Sequence, residues 1–179
     1  MKIKHTRLCM LGLTVIAGWF ASVNAGEKSF DNGRYYLRVG ALGASPELSS
    51  YQHSLDPATR CVYHSGSEAT ASYVVNLHMP DGHKIIGLNY DFYDSDAAGY
   101  TAAKIIRSDG TIAGSSYVVA VLSQGSYFGY SSEYEELLTP HIIDNSRYQY
   151  VMQFYRINPT AQDDDLQMCQ ARVVLEPGP

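Results

Sequence analysis

Clustered positive charge is absent from this chain of 179 residues, which has 13 lysine and arginine residues against 18 aspartate and glutamate residues. Proteins that bind nucleic acid need grouped Lys and Arg side chains to displace phosphate counterions, so the sequence argues against that class of partner. Catalytic signatures are missing too, since neither a His-Glu-x-x-His zinc motif nor a Gly-x-Ser-x-Gly elbow occurs. No helical periodicity persists for three turns, which argues against a helical fold.

Long apolar runs are scarce, and the one present lies at the N-terminus. Three basic residues precede apolar residues 8–20, and small residues ending at Ala25 follow, which is the layout of a secretory signal. A membrane span needs about 20 apolar residues, so we expect cleavage rather than a retained anchor. The expected organisation is a signal peptide at 1–25, an N-terminal extension with one strand at 26–58 and a β-sandwich domain at 59–179. We expect a secreted or periplasmic protein with no membrane insertion after cleavage.

Cysteine is scarce as well, and its distribution predicts one disulfide. Cys9 lies inside the signal, which leaves Cys61 and Cys169. An even pair in an oxidising compartment is expected to form a disulfide, with two buried thiols as the alternative. The closed loop of about 108 residues corresponds to roughly 4.7 kcal/mol in the chain-entropy model. Zinc sites use closely spaced ligands, so two isolated cysteines do not predict a metal site.

Short strands dominate what is present. From residue 73 onward, alternating or fully apolar runs end at Gly, Pro, Asp, Asn or Ser, a pattern typical of an all-β domain. The spacing favours a single jelly-roll-like β-sandwich of about eight antiparallel strands, with an up-and-down barrel as the alternative. The predicted strands span residues 34–39, 60–64, 71–78, 84–93, 100–107, 116–122, 147–156 and 168–175.

Two local expectations follow from this pattern. In the last strand Cys169 has the same parity as Ala171 and Val173, so its sulfur is predicted on the core face. Residues 123–140 lack a strand pattern and are interpreted as a long loop, in which Ser132 and Glu135 could cap one helical turn.

The runs MPDGHKIIGLNYDFYDSDAAGYTAAKIIRSDG, VVAVLSQG, HIIDNSRYQYVMQFY and LQMCQARVVL together resemble a group of exported bacterial β-sandwich proteins of unknown function. The resemblance covers residues 79–175. It implies a β-sandwich fold and brings no catalytic residues.

The acidic stretch YDFYDSDAAGY contains Asp91, Asp94 and Asp96. Aspartates in a bend bond their own backbone two residues on, which favours a turn between strands. Calcium needs six to eight oxygen ligands of this type, so a calcium site at these three residues is the alternative. No other cofactor is expected.

Tyrosine is abundant, with 15 residues. Tyrosines in strands are expected to pack in the core. Tyr127, Phe128, Tyr130 and Tyr134 lie outside the predicted strands and are the candidate ligand-binding residues, forming a stacking surface for a glycan or a protein. The sequence therefore favours an exported non-enzymatic β-sandwich that acts as a binding or structural module. A small secreted hydrolase with a site at one end of the sandwich is the alternative.

Overall fold

A computed structural model describes residues 33–111, 114–123, 129–158 and 164–178, and antiparallel strands make up most of these residues. The strands are β1 (Tyr35–Gly40), β2 (Ser45–Pro46), β3 (His53–Leu55), β4 (Val62–His64), β5 (Thr70–Asn76), β6 (Lys84–Asp94), β7 (Tyr100–Ser108), β8 (Ser115–Leu122), β9 (Gly129–Ile142), β10 (Gln149–Ile157) and β11 (Leu166–Glu176). A 3₁₀ turn at Ala41–Gly43 follows β1. Within these described ranges no helix has the length and apolar character that crossing a membrane requires.

The strands form two antiparallel sheets. One has the order β3-β4-β11-β6-β9, with β1 also paired to β11, and the other has the order β2-β5-β10-β7-β8. The chain changes sheet at every connection except those from β3 to β4 and from β7 to β8. Such repeated crossing is typical of a jelly roll. The predicted all-β sandwich is thus confirmed, and the two separate sheets replace the barrel alternative.

The core lies between the sheets because the strands alternate apolar and polar residues. Tyr90 and Phe92 of β6 and Phe154 of β10 are fully buried. The ring centroids of Tyr90 and Phe154 are 6.2 Å apart, which joins the two sheets directly. Burial of a large side chain of this kind contributes about 1.5–3 kcal/mol relative to exposure. The alternation then leaves Asn89 and Asp91 on the outer face of the sheet.

All eight predicted strands are present, within a few residues of their predicted ends. Three strands were not predicted, and two of them, β2 and β3, have only two and three residues. Strands that short cannot show the alternation of apolar and polar residues by which strands are predicted. Both lie within the range interpreted as an N-terminal extension, and they pair with β5 and β4 respectively. Together with β1 they place three strands in residues 33–58, where the sequence pattern indicated one.

The third unpredicted strand, β9, corrects the interpretation of residues 123–140 as a loop. Gly129–Ile142 is a 14-residue strand, and the proposed helical turn at Ser132 and Glu135 is part of it. β9 pairs with β6 alone and forms the edge of its sheet. None of its residues is fully buried, so it lacks the apolar alternation by which strands are recognised. Charged residues and proline are typical of such edges because they discourage pairing with another chain.

The predicted disulfide between Cys61 and Cys169 is confirmed. It joins the residue before β4 to β11, two strands that pair through Val62 and Met168. The prediction that Cys169 faces the core was wrong, because a β-bulge lies between Met168 and Gln170. A bulge inserts one extra residue and shifts the alternation locally, which leaves Cys169 half-buried while Cys61 is 2 % exposed.

Candidate functional site

The outer face of the six-stranded sheet carries a group of polar side chains from three neighbouring strands. Directly opposed residues on adjacent strands share a face. Asn89 of β6 is opposite Arg172 of β11, and Asp91 is opposite Gln170 of β11 and Ser132 of β9. We call these five residues the polar cluster.

Asp91 is the centre of the polar cluster. Its Oδ1 accepts hydrogen bonds from Arg172 Nη2 at 2.7 Å and from Ser132 Oγ at 2.6 Å. Its Oδ2 accepts a hydrogen bond from Gln170 Nε2 at 2.7 Å. Arg172 also donates to Asn89 Oδ1. Charge-assisted hydrogen bonds are about twice as strong as neutral ones, so the cluster holds planar guanidinium, carboxylate and amide groups in one fixed arrangement.

Tyrosines flank the polar cluster on both sides along the strands. On one side Tyr93 and Tyr130 are cross-strand partners with ring centroids 5.0 Å apart. On the other side lie Tyr134, which is opposite Asn89, and Tyr36, whose ring centroid is 5.9 Å from the Arg172 guanidinium carbon. We call the polar cluster together with these four tyrosines the tyrosine–polar strip.

Tyr134 lies across the sheet because Gly87 provides the space. A Cβ atom added to Gly87 would be 2.8 Å from the Tyr134 hydroxyl and 2.9 Å from its ring. The ring therefore covers the glycine, an arrangement that compensates for a missing side chain in a sheet. Tyr134 remains 46 % exposed and Tyr130 58 % exposed, so both rings present surface to solvent.

Both exposed tyrosines keep their protons at neutral pH. Burial raises the pKa of Tyr134, with a further rise from Glu136 and an opposing effect of Arg34. Burial also raises the pKa of Tyr130, as does the charge of Asp56. Neutral phenol hydroxyls both donate and accept hydrogen bonds.

A depression of about 450 Å³ borders the strip beside the disulfide. The residues that line it are Thr59, Cys61, Asp91, Phe92, Tyr130, Ser131, Ser132 and Cys169. Three of these belong to the tyrosine–polar strip, so the depression and the strip form one continuous surface.

A larger cavity of about 680 Å³ lies away from this face, at the turn that follows β5. Tyr148 contributes to its lining. The guanidinium groups of Arg107 and Arg147 lie 4.8 Å and 5.0 Å from the Tyr148 ring centroid. Because this ring already contacts two cations within the protein, the cavity is the weaker candidate for a stacking site.

Two of the four predicted ligand-binding residues lie close together in the structure. Tyr130 and Tyr134 lie on the same face of β9, separated by Ser132 of the polar cluster. Tyr127 and Phe128 lie outside the described residues. The two described tyrosines thus belong to an edge strand, not to a loop as the sequence indicated.

The three aspartates of the acidic stretch do not share a site, which corrects the calcium interpretation. Asp91 lies on the outer face, whereas Asp94 is fully buried on the core side of the same strand. The backbone N–H of Asp96 donates to Asp94 Oδ1 at 3.1 Å, and that of Ala98 donates to Asp96 Oδ1 at 2.8 Å. These bonds confirm the predicted turn. Among the described residues no three His, Cys, Asp or Glu side chains are placed to hold a metal ion.

Asp94 is a buried carboxyl group with an altered acidity. Burial raises the pKa of Asp94, while hydrogen bonds from the Ser123 hydroxyl and the Asp96 backbone oppose the rise. Ser123 Oγ in turn accepts a hydrogen bond from the Thr101 backbone at 2.9 Å. The group thus connects β6 to β7 and to the end of β8, away from solvent.

The hydrolase alternative calls for a histidine that contacts both a serine hydroxyl and a carboxylate. Three histidines in the described ranges have side-chain hydrogen bonds with tyrosine hydroxyls, in the pairs His64–Tyr73, His83–Tyr35 and His141–Tyr150. His64 also contacts Glu68 at 3.1 Å. In none of these three groups does a serine occupy the place of the nucleophile.

Sequence reasoning missed six residues of the strip as site residues: Tyr36, Asn89, Tyr93, Ser132, Gln170 and Arg172. A signal was nevertheless present for Asn89, Gln170 and Arg172, because polar residues alternate with apolar ones in both 84–93 and 168–175. The alternation places these side chains on an outer face, but the register between β6 and β11 is needed to bring them together.

Comparisons with known proteins yield a fold likeness. No family model matches the sequence, and no curated protein matches it. Among solved structures, the chain is similar to the family 11 carbohydrate-binding module from Clostridium thermocellum in complex with a β-1,3-1,4-mixed-linked tetrasaccharide. The identity is 12 %, the match covers 85 % of this chain and 94 % of that chain, and the TM-score is 0.36. A likeness at this TM-score says nothing about what this chain binds.

Proposed function

We propose that this protein is a non-enzymatic glycan-binding module whose ligand lies on the tyrosine–polar strip. The observation that carries the proposal is the arrangement of solvent-exposed tyrosine rings on both sides of a hydrogen-bonded cluster of planar polar groups. Tyr130 and Tyr134 are the exposed rings, and Asp91 is the centre of the cluster.

Sugars present two kinds of surface, and the strip offers a partner for each. The C–H faces of a pyranose ring are apolar and pack on an aromatic ring, while a tyrosine hydroxyl remains available to the rim. Vicinal hydroxyl groups match the paired donors and acceptors of guanidinium, carboxylate and amide groups. The cluster is already ordered in the free protein, so little conformational entropy is lost on binding.

The spacing of the rings favours an oligosaccharide over a single sugar. Tyr130 and Tyr134 are four residues apart on one strand, which corresponds to about 13 Å. A chain of sugars that follows β9 would reach both rings and cross the polar cluster between them. The depression beside the disulfide extends the same surface at the Tyr130 end.

The proposed location is outside the reducing cytosol. Disulfides persist in oxidising compartments, and the bond between Cys61 and Cys169 supports the secretory signal read from residues 1–25. A secreted or periplasmic protein has access to polysaccharides outside the cytosol.

A glycan array followed by titration of the best ligand tests the proposal. A sugar that stacks on a tyrosine ring loses this contact when the ring is removed. Tyr134→Ala and Tyr130→Ala are therefore each expected to weaken binding about tenfold or more. Tyr117→Ala is the matched control, because Tyr117 is 65 % exposed but belongs to β8 of the other sheet. Ligand binding that survives both strip variants and is lost in the control would place the site on the other sheet.

A further inference from the structure

Two arginines lie directly opposite each other on the outer face of the six-stranded sheet. Arg38 of β1 and Arg172 of β11 are cross-strand partners in the antiparallel register. Opposed like charges destabilise a strand pair. A nearby negative group relieves this repulsion, and the two arginines differ in whether the described residues supply one.

Arg172 is paired, whereas Arg38 is not paired by the residues that the structure describes. Arg172 Nη2 is 2.7 Å from Asp91 Oδ1. The remaining ion pairs of the described ranges involve Arg34, Lys84 and His64, and none of them includes the exposed Arg38. Arg38 is therefore an exposed cation without an ion pair among the described residues, in a chain that has more acidic than basic residues.

The surface beside Arg38 is open to a ligand. Gly40 follows two residues later on the same face and is opposite Gln170 of the polar cluster. A Cβ atom added to Gly40 would have no heavy atom within 4 Å among the described neighbours. A group approaching Arg38 from the polar cluster thus meets backbone rather than a bulky side chain.

We propose that the glycan recognised by the strip is acidic, and that Arg38 binds a sugar carboxylate. This inference rests on the proposed glycan-binding function. A uronic acid suits the site because its planar carboxylate can accept two parallel hydrogen bonds from a guanidinium group. The sugar ring that bears it would lie over the polar cluster, between the tyrosine pairs. Ligand binding then neutralises the charge of Arg38, as Asp91 already does for Arg172.

The experiment compares acidic polysaccharides with their own neutral forms. Polygalacturonate, alginate and hyaluronan are each tested against the carboxyl-reduced polymer, which differs only in the charged group. Affinity electrophoresis or calorimetry is run with the wild-type protein, with Arg38→Gln and with Arg38→Lys. Arg147→Gln is the matched control, since it removes the same charge from the turn before β10, where Arg147 lies against Tyr148.

The wild-type protein is expected to bind at least one acidic polymer about tenfold or more tightly than its reduced form. Arg38→Gln should reduce that ratio to near one, whereas Arg147→Gln should leave it unchanged. Arg38→Lys should retain only part of it, because an ammonium group cannot form the bidentate contact. The ratio should also fall as salt is raised from 0.05 M to 0.3 M, since the arginine is exposed.

Each other result overturns a stated part of the inference. Equal binding of acidic and reduced polymers refutes acid recognition while leaving the proposed glycan site intact. An acid preference that persists in Arg38→Gln refutes the assignment to Arg38. Failure to bind any of the six polymers refutes the inference for carboxylated glycans, and the proposed function falls only if the glycan array is silent as well. An unchanged thermal midpoint of Arg38→Gln confirms folding, because the exposed side chain has no ion pair with the described residues.

Discussion

Removing the disulfide tests how much this bond stabilises the fold by joining two neighbouring strands, β4 and β11, that are far apart in sequence. Cys61 and Cys169 are 108 residues apart. For a loop of that length the chain-entropy model gives about 4.7 kcal/mol at 25 °C. Val62 and Met168 pair next to the bond, so the native strands stay together without it. The stabilisation therefore acts mainly by restricting the unfolded chain.

The double variant Cys61→Ala/Cys169→Ala is expected to melt about 10–20 °C below the wild type, using about 2–4 °C per kcal/mol for a domain of this size. Circular dichroism gives the midpoint, and urea titration gives the m-value, which should rise because the unfolded chain exposes more surface. Wild-type protein treated with a reductant is the control that keeps both sulfur atoms. A shift below about 3 °C in both, with an unchanged m-value, would refute the loop-closure reasoning.

Three further predictions concern β6. Asp91→Asn leaves the Arg172 charge without its partner and should cost about 1–3 kcal/mol of unfolding free energy, measured by urea titration. Gly87→Ala should cost about 1–3 kcal/mol because the added carbon would lie 2.6 Å from the Glu135 carbonyl oxygen and 2.8 Å from the Tyr134 hydroxyl, with retained stability contradicting these close contacts. Because burial raises the pKa of Asp94, the folded protein holds that proton more tightly, so stability should fall as pH rises above 3.8. Asp94→Asn should flatten that part of the pH profile, and an unaltered profile would show that Asp94 does not cause it.

The strand positions could be predicted because a sandwich imposes period-two alternation on each half-buried strand. Residues 84–93 illustrate this, since Leu88, Tyr90 and Phe92 form the core face and Asn89 and Asp91 the outer face. Strand prediction failed for β9, which lacks the alternation of buried and exposed residues. β9 lies at an edge and buries none of its residues fully, so its sequence resembles that of a loop.

The candidate site depended on information that local sequence does not contain. The polar cluster joins Asp91 to Arg172 and Ser132 across distances of 81 and 41 residues in the chain. Cross-strand register decides such pairings, and a single bulge changes them. The bulge at Cys169 shows this, because it moved a residue with core parity to the rim of an open depression. Tyrosine composition indicated the kind of surface, but the register of the sheet determined its place.

The strand nearest the C-terminus of the described chain, β11, lies inside the six-stranded sheet, flanked by β6 on one side and by β1 and β4 on the other. During synthesis the earlier strands of that sheet emerge before the strand that joins them, so β1 and β4 have no partner linking them to β6 until residues 166–176 are available. Contacts this distant in sequence slow folding, commonly to milliseconds or seconds. The sheet is therefore completed only once residues 166–176 have been made, and shortened chains that end before β11 would lack Gln170 and Arg172 of the polar cluster.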